Sequence, residues 1–350
     1  MRIRLATSAD RDAWDEMALR RCGGRLLGTW GWGELKRRQG WEVIRLLAEP
    51  SAGADPVGLL HLQLRRGTAG IGFAYAPRSP LVVDPAAAEG SEAAVALLEA
   101  AAGLCRRRRC LVLKVDPEWA EADPGSRAVL SRAGLRDSWY DVQHRKTYLV
   151  DLEGGAEAVL ARLKASTRRN IRAGQRGGLE MEVRTEPAAA HEFWPLLAET
   201  GERNGFTPRH APYYAELLEE VGRSCPTAVV LARHQGRALA GMIAIAAGPR
   251  LVYLYGGNRL DEPRLHAPYA VQWRAMEWGM GHGCGVYDMW GVPNHEDPTV
   301  PGYGYYEFKT RFNGRVERHI RCQDVPLWRW AGPVPRLLER LALRGRPLLT

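Results

Sequence analysis

At 350 residues, 45% of them apolar and 25% charged, the chain has the composition of a soluble globular protein and exceeds the usual size of a single hydrophobic core. Its six cysteines (Cys22, Cys105, Cys110, Cys225, Cys284, Cys322) include no C-x-x-C pair, so neither a zinc site nor a disulfide framework is indicated. A formal net charge of +9 fits a polyanionic partner, whether nucleic acid, a pyrophosphate-bearing substrate or an anionic membrane surface.

The first residues, MRIRLATSADRD, lack the apolar core of a signal peptide, and no apolar run reaches the ~18 residues that span a bilayer. A soluble, cytoplasmic protein of two domains is expected. Asp10 to Arg20 reads as a short helix with an acidic first turn, and GTWGWGELKRRQGW follows around Lys36. Strands are expected at Glu42 to Leu47, Val57 to Leu64 and Gly70 to Ala76. Ser91 to Arg109 has helical spacing, and Cys110 to Val115 is a buried-type strand ending in Asp116-Pro117.

The second half repeats this order. Strands at Ala228 to Ala232, Ala238 to Ala246 and Leu251 to Tyr255 precede a helix, Leu265 to Gly281, and a buried strand, Gly285 to Trp290. The offset of roughly 180 residues suits a duplicated domain rather than a solenoid unit. Each half has the element order of a GNAT-type acyltransferase, so the expected fold is α/β (α+β), two tandem GNAT-like domains with mixed sheets flanked by helices. A CoA-dependent member needs a glycine-containing anion-binding turn between a strand and a helix. The one spacing match, Arg233 to Ala238, falls in a hairpin between two strands, which argues against acetyl-CoA.

Between the halves, Leu160 to Gly178 sets Arg168, Arg169, Arg172 and Arg176 on an expected helix, either as a solvated basic face or as a contact to nucleic-acid phosphates. Near the end, PGYGYYEFKTRFNG (301–314) reads as a loop entering a strand, because glycines permit tight paths and aromatics favour a pleated surface. Only five of the 49 basic residues are lysines, and one of them, Lys309, directly follows Phe308. It either snorkels from a strand edge or supplies a compact ammonium. No G-x-S-x-G elbow and no tight histidine pair is present, so neither a serine nucleophile nor a metal is expected.

Several patches in a common order resemble the FemABX aminoacyltransferases: TWGWGELK, the VDP after a buried strand, TRRNIRAGQRGG, the block ERNGFTPRHAPYY, YLYGGN, and GYGYYEFKTRFNG followed by QDVPL. Asn313 stands where that family more often has glycine. The resemblance covers almost the whole chain and fits the compact type without a coiled-coil arm. It implies two GNAT-like domains, 1–150 plus 321–350 and 151–320, and transfer of an amino acid from aminoacyl-tRNA to an amine of a peptidoglycan-precursor stem peptide.

By position, Lys36 matches a lysine that contacts the diphosphate of a UDP-linked muropeptide, and Arg209 and Tyr213 match an arginine and a tyrosine of the same site; a lysine with an arginine fork can clamp linked phosphates. Tyr253 and Tyr255 alternate on one strand, so both are expected on one face, as substrate-groove or core residues. Lys309 with Phe308 matches the reaction centre. An activated ester needs orientation and oxyanion stabilisation rather than a protein nucleophile, which makes Lys309 the candidate for that charge or for holding the tRNA 3′ end. Asp116 is the candidate base, with Asp288 second; either can equally be capping or pairing locally. No cofactor is expected beyond aminoacyl-tRNA as co-substrate. Partners are a UDP-linked or lipid-linked muropeptide, or a small amine-bearing metabolite in the alternative reading, with peripheral contact of the arginine- and leucine-rich tail to the inner membrane surface as a further option. The remaining contenders are a CoA-dependent N-acetyltransferase and a silent RNA-binding module.

Overall fold

The computed structural model describes residues 1–66, 72–293, 303–325, 327 and 337. Its strands in chain order are β1 (Arg2–Leu5), β2 (Glu42–Glu49), β3 (Gly58–Arg66), β4 (Gly72–Ala76), β5 (Leu81–Val82), β6 (Cys110–Val115), β7 (Arg136–Asp137), β8 (Lys146–Asp151), β9 (Glu180–Arg184), β10 (Thr227–His234), β11 (Arg237–Ala247), β12 (Arg250–Asn258), β13 (Val286–Val292), β14 (Arg315–Arg318) and β15 (Gln323–Val325). The helices are α1 (Arg11–Glu16), α2 (Trp30–Arg38), α3 (Ala88–Arg107), α4 (Pro124–Arg132), α5 (Gly155–Arg162), α6 (Ala165–Arg176), α7 (Ala190–Asn204), α8 (Ala211–Gly222), α9 (Ala267–Gly281) and α10 (Tyr303–Thr310). The chain divides into two compact units, Met1–Arg145 with Arg318–Thr350, and Lys146–Glu317. Among the described residues no helix is long and apolar enough to cross a membrane.

The first unit is built on the sheet β1-β2-β3-β4-β6-β15-β7, with β5 paired to β3. Strands β1 to β4 are antiparallel, β4 and β6 run parallel, and β15 lies antiparallel between β6 and β7. Alternate residues feed opposite faces. Leu46, Leu60 and Leu62 meet the alanine-rich stripe of α3, where Ala93, Ala94, Ala101 and Ala102 let the helix approach closely. Leu47 and Leu59 meet Trp14 and Trp30 of α1 and α2. Lys114, the last residue but one of β6, is fully buried and donates to Asp324 of β15 at 2.7 Å and to Ser138 at 2.6 Å. A buried ammonium survives there because a carboxylate and a hydroxyl satisfy it.

The second unit is built on the sheet β14-β8-β13-β12-β11-β10-β9, in which the pairs from β8 to β9 are antiparallel except for β12 and β13. The strand series β1-β2-β3-β4-β6-β15 and β9-β10-β11-β12-β13-β8 pass through the same succession of pairings, which is the repeat expected from the sequence. Helix α9 sets Val271, Ala275 and Met276 against Val230, Met242 and Ala244 on one face. On the other, α7 presses on β11 and β12, so that a Cβ at Gly257 would lie 2.5 Å from the Leu196 carbonyl carbon.

Two local expectations fail, each for a physical reason. Residues 303–310 form a helix, α10, and no strand begins there. The signal lay in spacings of four: Phe308 and Phe312 meet edge to face at 5.3 Å, and Arg311 pairs with Glu307 at 2.5 Å. Asn313 closes this segment at a φ of 55°, the left-handed conformation that favours glycine or asparagine. The expected basic helix from Leu160 to Gly178 is two helices, α5 and α6, parted at Leu163 and Lys164. The start of the strand expected at Gly70, the first two residues of PGYGYYEFKTRFNG and the arginine- and leucine-rich tail lie outside the described residues.

Candidate active site

The second unit opens where β12 and β13 part. They pair only from Arg250 opposite Val286 to Val252 opposite Asp288, while β12 continues to Asn258 and β13 to Val292. In the same stretch β12 carries a bulge: Ala244 pairs with Tyr253 and Ile243 with Tyr255, leaving Leu254 as the extra residue. The bulge reverses the alternation, so Tyr253 and Tyr255 do not share a face as expected. Tyr253 packs with the α9 side and Tyr255 with Tyr213 and Tyr214 of α8. Gly256 returns to the Tyr253 side, where a Cβ would fall on the Tyr253 hydroxyl. The two glycines of YLYGGN thus seat a phenol and a helix backbone in turn.

Around this opening lies a cavity of about 760 Å³, walled by Tyr253, Gly256 and Gly257 of β12, Tyr269 and Gln272 of α9, and Tyr305 and Phe308 of α10. Lys309, in the last turn of α10, places its ammonium 5.1 Å from the Tyr305 ring centre and 5.9 Å from that of Tyr253. It donates to the Gly291 carbonyl at 2.7 Å and is 5% exposed. Burial pulls its pKa down to about 7, against a smaller opposing pull from Asp288. A lysine so held switches between ammonium and amine near neutral pH.

Asp288 itself is committed elsewhere. One carboxylate oxygen accepts from the Thr147 hydroxyl and from the Trp290 amide at 2.8 Å, and the other accepts from Arg250 at 3.0 Å. Trp290 sits at a φ of 65°, inside an irregularity of the β13–β8 pairing between Asp288 and Gly291. Asp288 therefore clamps a kinked strand and aims the Gly291 carbonyl, which explains the residue better than a role as base.

A second group lies on the α8 side. The Arg209 guanidinium carbon is 5.3 Å from the Tyr213 ring centre, and the hydroxyls of Tyr213 and Tyr255 are 3.3 Å apart. Burial pushes both phenols up, so both stay protonated. Among the described residues no carboxylate pairs with Arg209, which leaves a positive fork over tyrosine hydroxyls: an arrangement suited to an anion.

Lys36 and Asp116 belong to the first unit. Lys36, in the last turn of α2, is 7% exposed and stands 4.9 Å over the Trp32 ring. Gly33 beneath is dictated by packing, since a Cβ there would strike the guanidinium of Arg45. Asp116 accepts from the Tyr75 hydroxyl and from the Arg78 amide, both at 2.7 Å. Burial raises its pKa to about 6. Of the α6 arginines, Arg168 donates to the carbonyls of Ala161 and Leu163 and so caps α5. Arg169, Arg172 and Arg176 are exposed, and among the described residues no carboxylate pairs with them.

Sequence reasoning passed over Gln272, Tyr287, Tyr305 and Gly256. Tyr305 and Gly256 stood inside GYGYYEFKTRFNG and YLYGGN without being singled out. Gln272 left a fainter mark, as a polar residue on the apolar stripe of α9, where it is 3% exposed.

The chain matches the FemAB family model over residues 133–235 and 227–321. It is 23% identical to a UDP-N-acetylmuramoylpentapeptide-lysine N(6)-alanyltransferase of Weissella viridescens, over 90% of each chain. It is 22% identical to a lipid II:glycine glycyltransferase of Staphylococcus haemolyticus, over 92% of each. The crystal structure of FemX superposes with a TM-score of 0.85 at 18% identity, covering 97% of this chain and all of that one. A tandem GNAT protein from the clavulanic acid biosynthesis pathway, covering 92% of this chain and 98% of that one, superposes with 0.54 at 14% identity, in keeping with two GNAT-like sheets. The family model spans more than half of the sequence, and the chain belongs to the FemAB family.

Proposed function

We propose that this protein transfers an aminoacyl group from aminoacyl-tRNA to an amine of a peptidoglycan-precursor stem peptide. The observation that carries the reading is Lys309, a buried amine tuned to about 7 beside a cavity walled by aromatic side chains, in a chain whose relatives are alanyl and glycyl transferases. The acceptor amine attacks the ester carbonyl, the π pair moves to oxygen, and collapse breaks the bond to the ribose oxygen, which becomes a hydroxyl by taking the proton lost by nitrogen. Lys309 in its ammonium form stabilises that oxygen, while Phe308, Tyr305 and Tyr269 offer faces for the terminal base of the tRNA.

Arg209, with Tyr213 and Tyr255, takes a phosphate of the acceptor, and in the first unit Lys36 is a candidate for phosphate contact as well. Arg169, Arg172 and Arg176 contact the tRNA backbone, which positions the donor without reading its sequence. Asp116, a residue of the first unit whose carboxyl burial raises to about 6, is the candidate base for the earlier step in which the acceptor ammonium gives up a proton to become a nucleophile. Purified protein given mixed radiolabelled aminoacyl-tRNAs and UDP-muropeptide tests the reading. Label moving into the muropeptide with the wild type and not with Lys309→Met supports it. No transfer to either the soluble or the lipid-linked precursor overturns it.

A further inference from the structure

The hydrogen bonding around Tyr253 has a direction. Tyr287, fully buried on β13, donates its hydroxyl to Oε1 of Gln272 on α9. That leaves the Gln272 amide nitrogen free to donate, and the influence of Gln272 on Tyr253 is toward the phenolate form, against burial, as an N–H donor gives. A phenol that accepts from an amide keeps its own O–H for another partner. Among the described residues no acceptor takes the Tyr253 proton, and the side chain lines the cavity that Tyr305 and Phe308 close from the other side. A Cβ at Gly256 would collide with the hydroxyl, so the glycine there makes room for it. Burial pushes its pKa up to about 12, so the proton is present throughout the neutral range.

We infer that Tyr253 is a catalytic hydrogen-bond donor to the ester oxygen as it becomes anionic, and that Gln272 is the positioning residue that makes Tyr253 a donor. The inference rests on the aminoacyl-transfer reading above. Tyr253 and Lys309 then act on one oxygen from a neutral and a cationic group, and the phenol continues to serve above pH 7 where Lys309 has lost its charge. No proton leaves Tyr253 in the step. The bond to nitrogen forms, the bond to ribose oxygen breaks, and the phenol returns unchanged.

The test is single-turnover transfer from alanyl-tRNA and glycyl-tRNA to UDP-muropeptide, or to the lipid-linked precursor where that is the acceptor used, by the wild type, Tyr253→Phe, Gln272→Leu and the double variant. Tyr253→Phe retains the ring beside Lys309 and removes one hydroxyl. The expected loss is on the order of 100-fold in the chemical rate with KM for both substrates within about threefold. Gln272→Leu is expected to lose rate without a change in KM, and to cost nothing further in the Tyr253→Phe background, because it acts through that hydroxyl. A Tyr253→Phe enzyme within threefold of the wild-type rate, or one impaired only in KM, overturns the donor role. Additive losses in the double variant overturn the positioning role. A wild type that transfers to no acceptor overturns both this inference and the functional reading on which it stands, whereas the other outcomes leave that reading intact.

Discussion

Lys309 donates to the carbonyl of Gly291 at 2.7 Å, a bond from a buried amine to a neutral acceptor, while Asp288, the nearby carboxylate, is occupied by Arg250 at 3.0 Å. The charged form is therefore under-compensated, and its pKa falls from 10.5 to about 7. Between these values the unfolded chain binds more protons than the folded one. The penalty is full below about 7 and is relieved as pH rises toward 10.5. Relative to Lys309→Met, wild-type stability should gain on the order of 1 kcal/mol per pH unit across that window. Urea unfolding of both proteins at pH 6, 8 and 10 checks this, and parallel pH curves for the two would contradict it.

The same titration shapes activity. If the ammonium stabilises the oxyanion, the ratio of wild-type to Lys309→Met transfer rates should be on the order of 10²–10³ at pH 6 and shrink as pH rises through about 7. Single-turnover rates on both proteins measure the ratio directly. A ratio constant from pH 6 to 9 assigns Lys309 to tRNA placement instead.

Asp288→Asn should behave as a stability variant. Removing the charge breaks the buried ion pair that Arg250 makes with Asp288, and breaking such a pair costs about 3–5 kcal/mol. Denaturant unfolding should show that loss. An Asp288→Asn protein as stable as the wild type but inactive would restore Asp288 as a candidate base.

The glycines of YLYGGN separate site from scaffold. Gly256→Ala puts a methyl on the Tyr253 hydroxyl, so transfer should fall by tenfold or more while the fold persists. Gly257→Ala drives a methyl into the Leu196 backbone, and overpacking of this kind costs about 1–3 kcal/mol. Melting curves paired with transfer rates distinguish the two; equal loss of stability in both would contradict the assignment of Gly256 to the site.

The α6 arginines divide in the same way. Replacing Arg169, Arg172 and Arg176 together by alanine should weaken tRNA binding and flatten its salt dependence, by roughly 0.7–0.9 in log-log slope for each phosphate no longer neutralised. Arg168→Ala should lower the melting temperature through α5 and leave the salt slope unchanged. Filter binding over a range of salt concentrations reports both, and an unchanged slope in the triple variant removes this helix from the tRNA interface.

The repeat was legible because each half writes the same succession of apolar strands and one long helix, and burial on both faces of a sheet enforces that pattern. Lys309 stood out by composition, as a lysine in an arginine-rich chain. The bulge at Leu254 was not legible: LVYLYGGN alternates as a regular strand does, and only the partner register of Ile243 and Ala244 reveals the extra residue. Helix α10 was misread because its aromatics carry strand propensity, and the pairs at four-residue spacing that stabilise it were outweighed by the glycines in and around it. Gln272 escaped because one polar residue on an apolar helix stripe shows its purpose only when its partners, Tyr287 and Tyr253, arrive from two different strands.

Strand β6 is covered on its far edge by a strand whose ion-pair partner lies 210 positions later, Asp324 against Lys114. On the ribosome, β6 emerges long before β15, and its far edge is then an open row of amides and carbonyls, a template for another chain. Lys114 stands in that row, directly opposite Asp324. In the nascent protein it is a hydrated cation that discourages edge-to-edge pairing; in the finished protein the strand that hides the edge also brings the carboxylate that neutralises the cation. Protection against aggregation and its removal are thus timed by the same event, the arrival of β15.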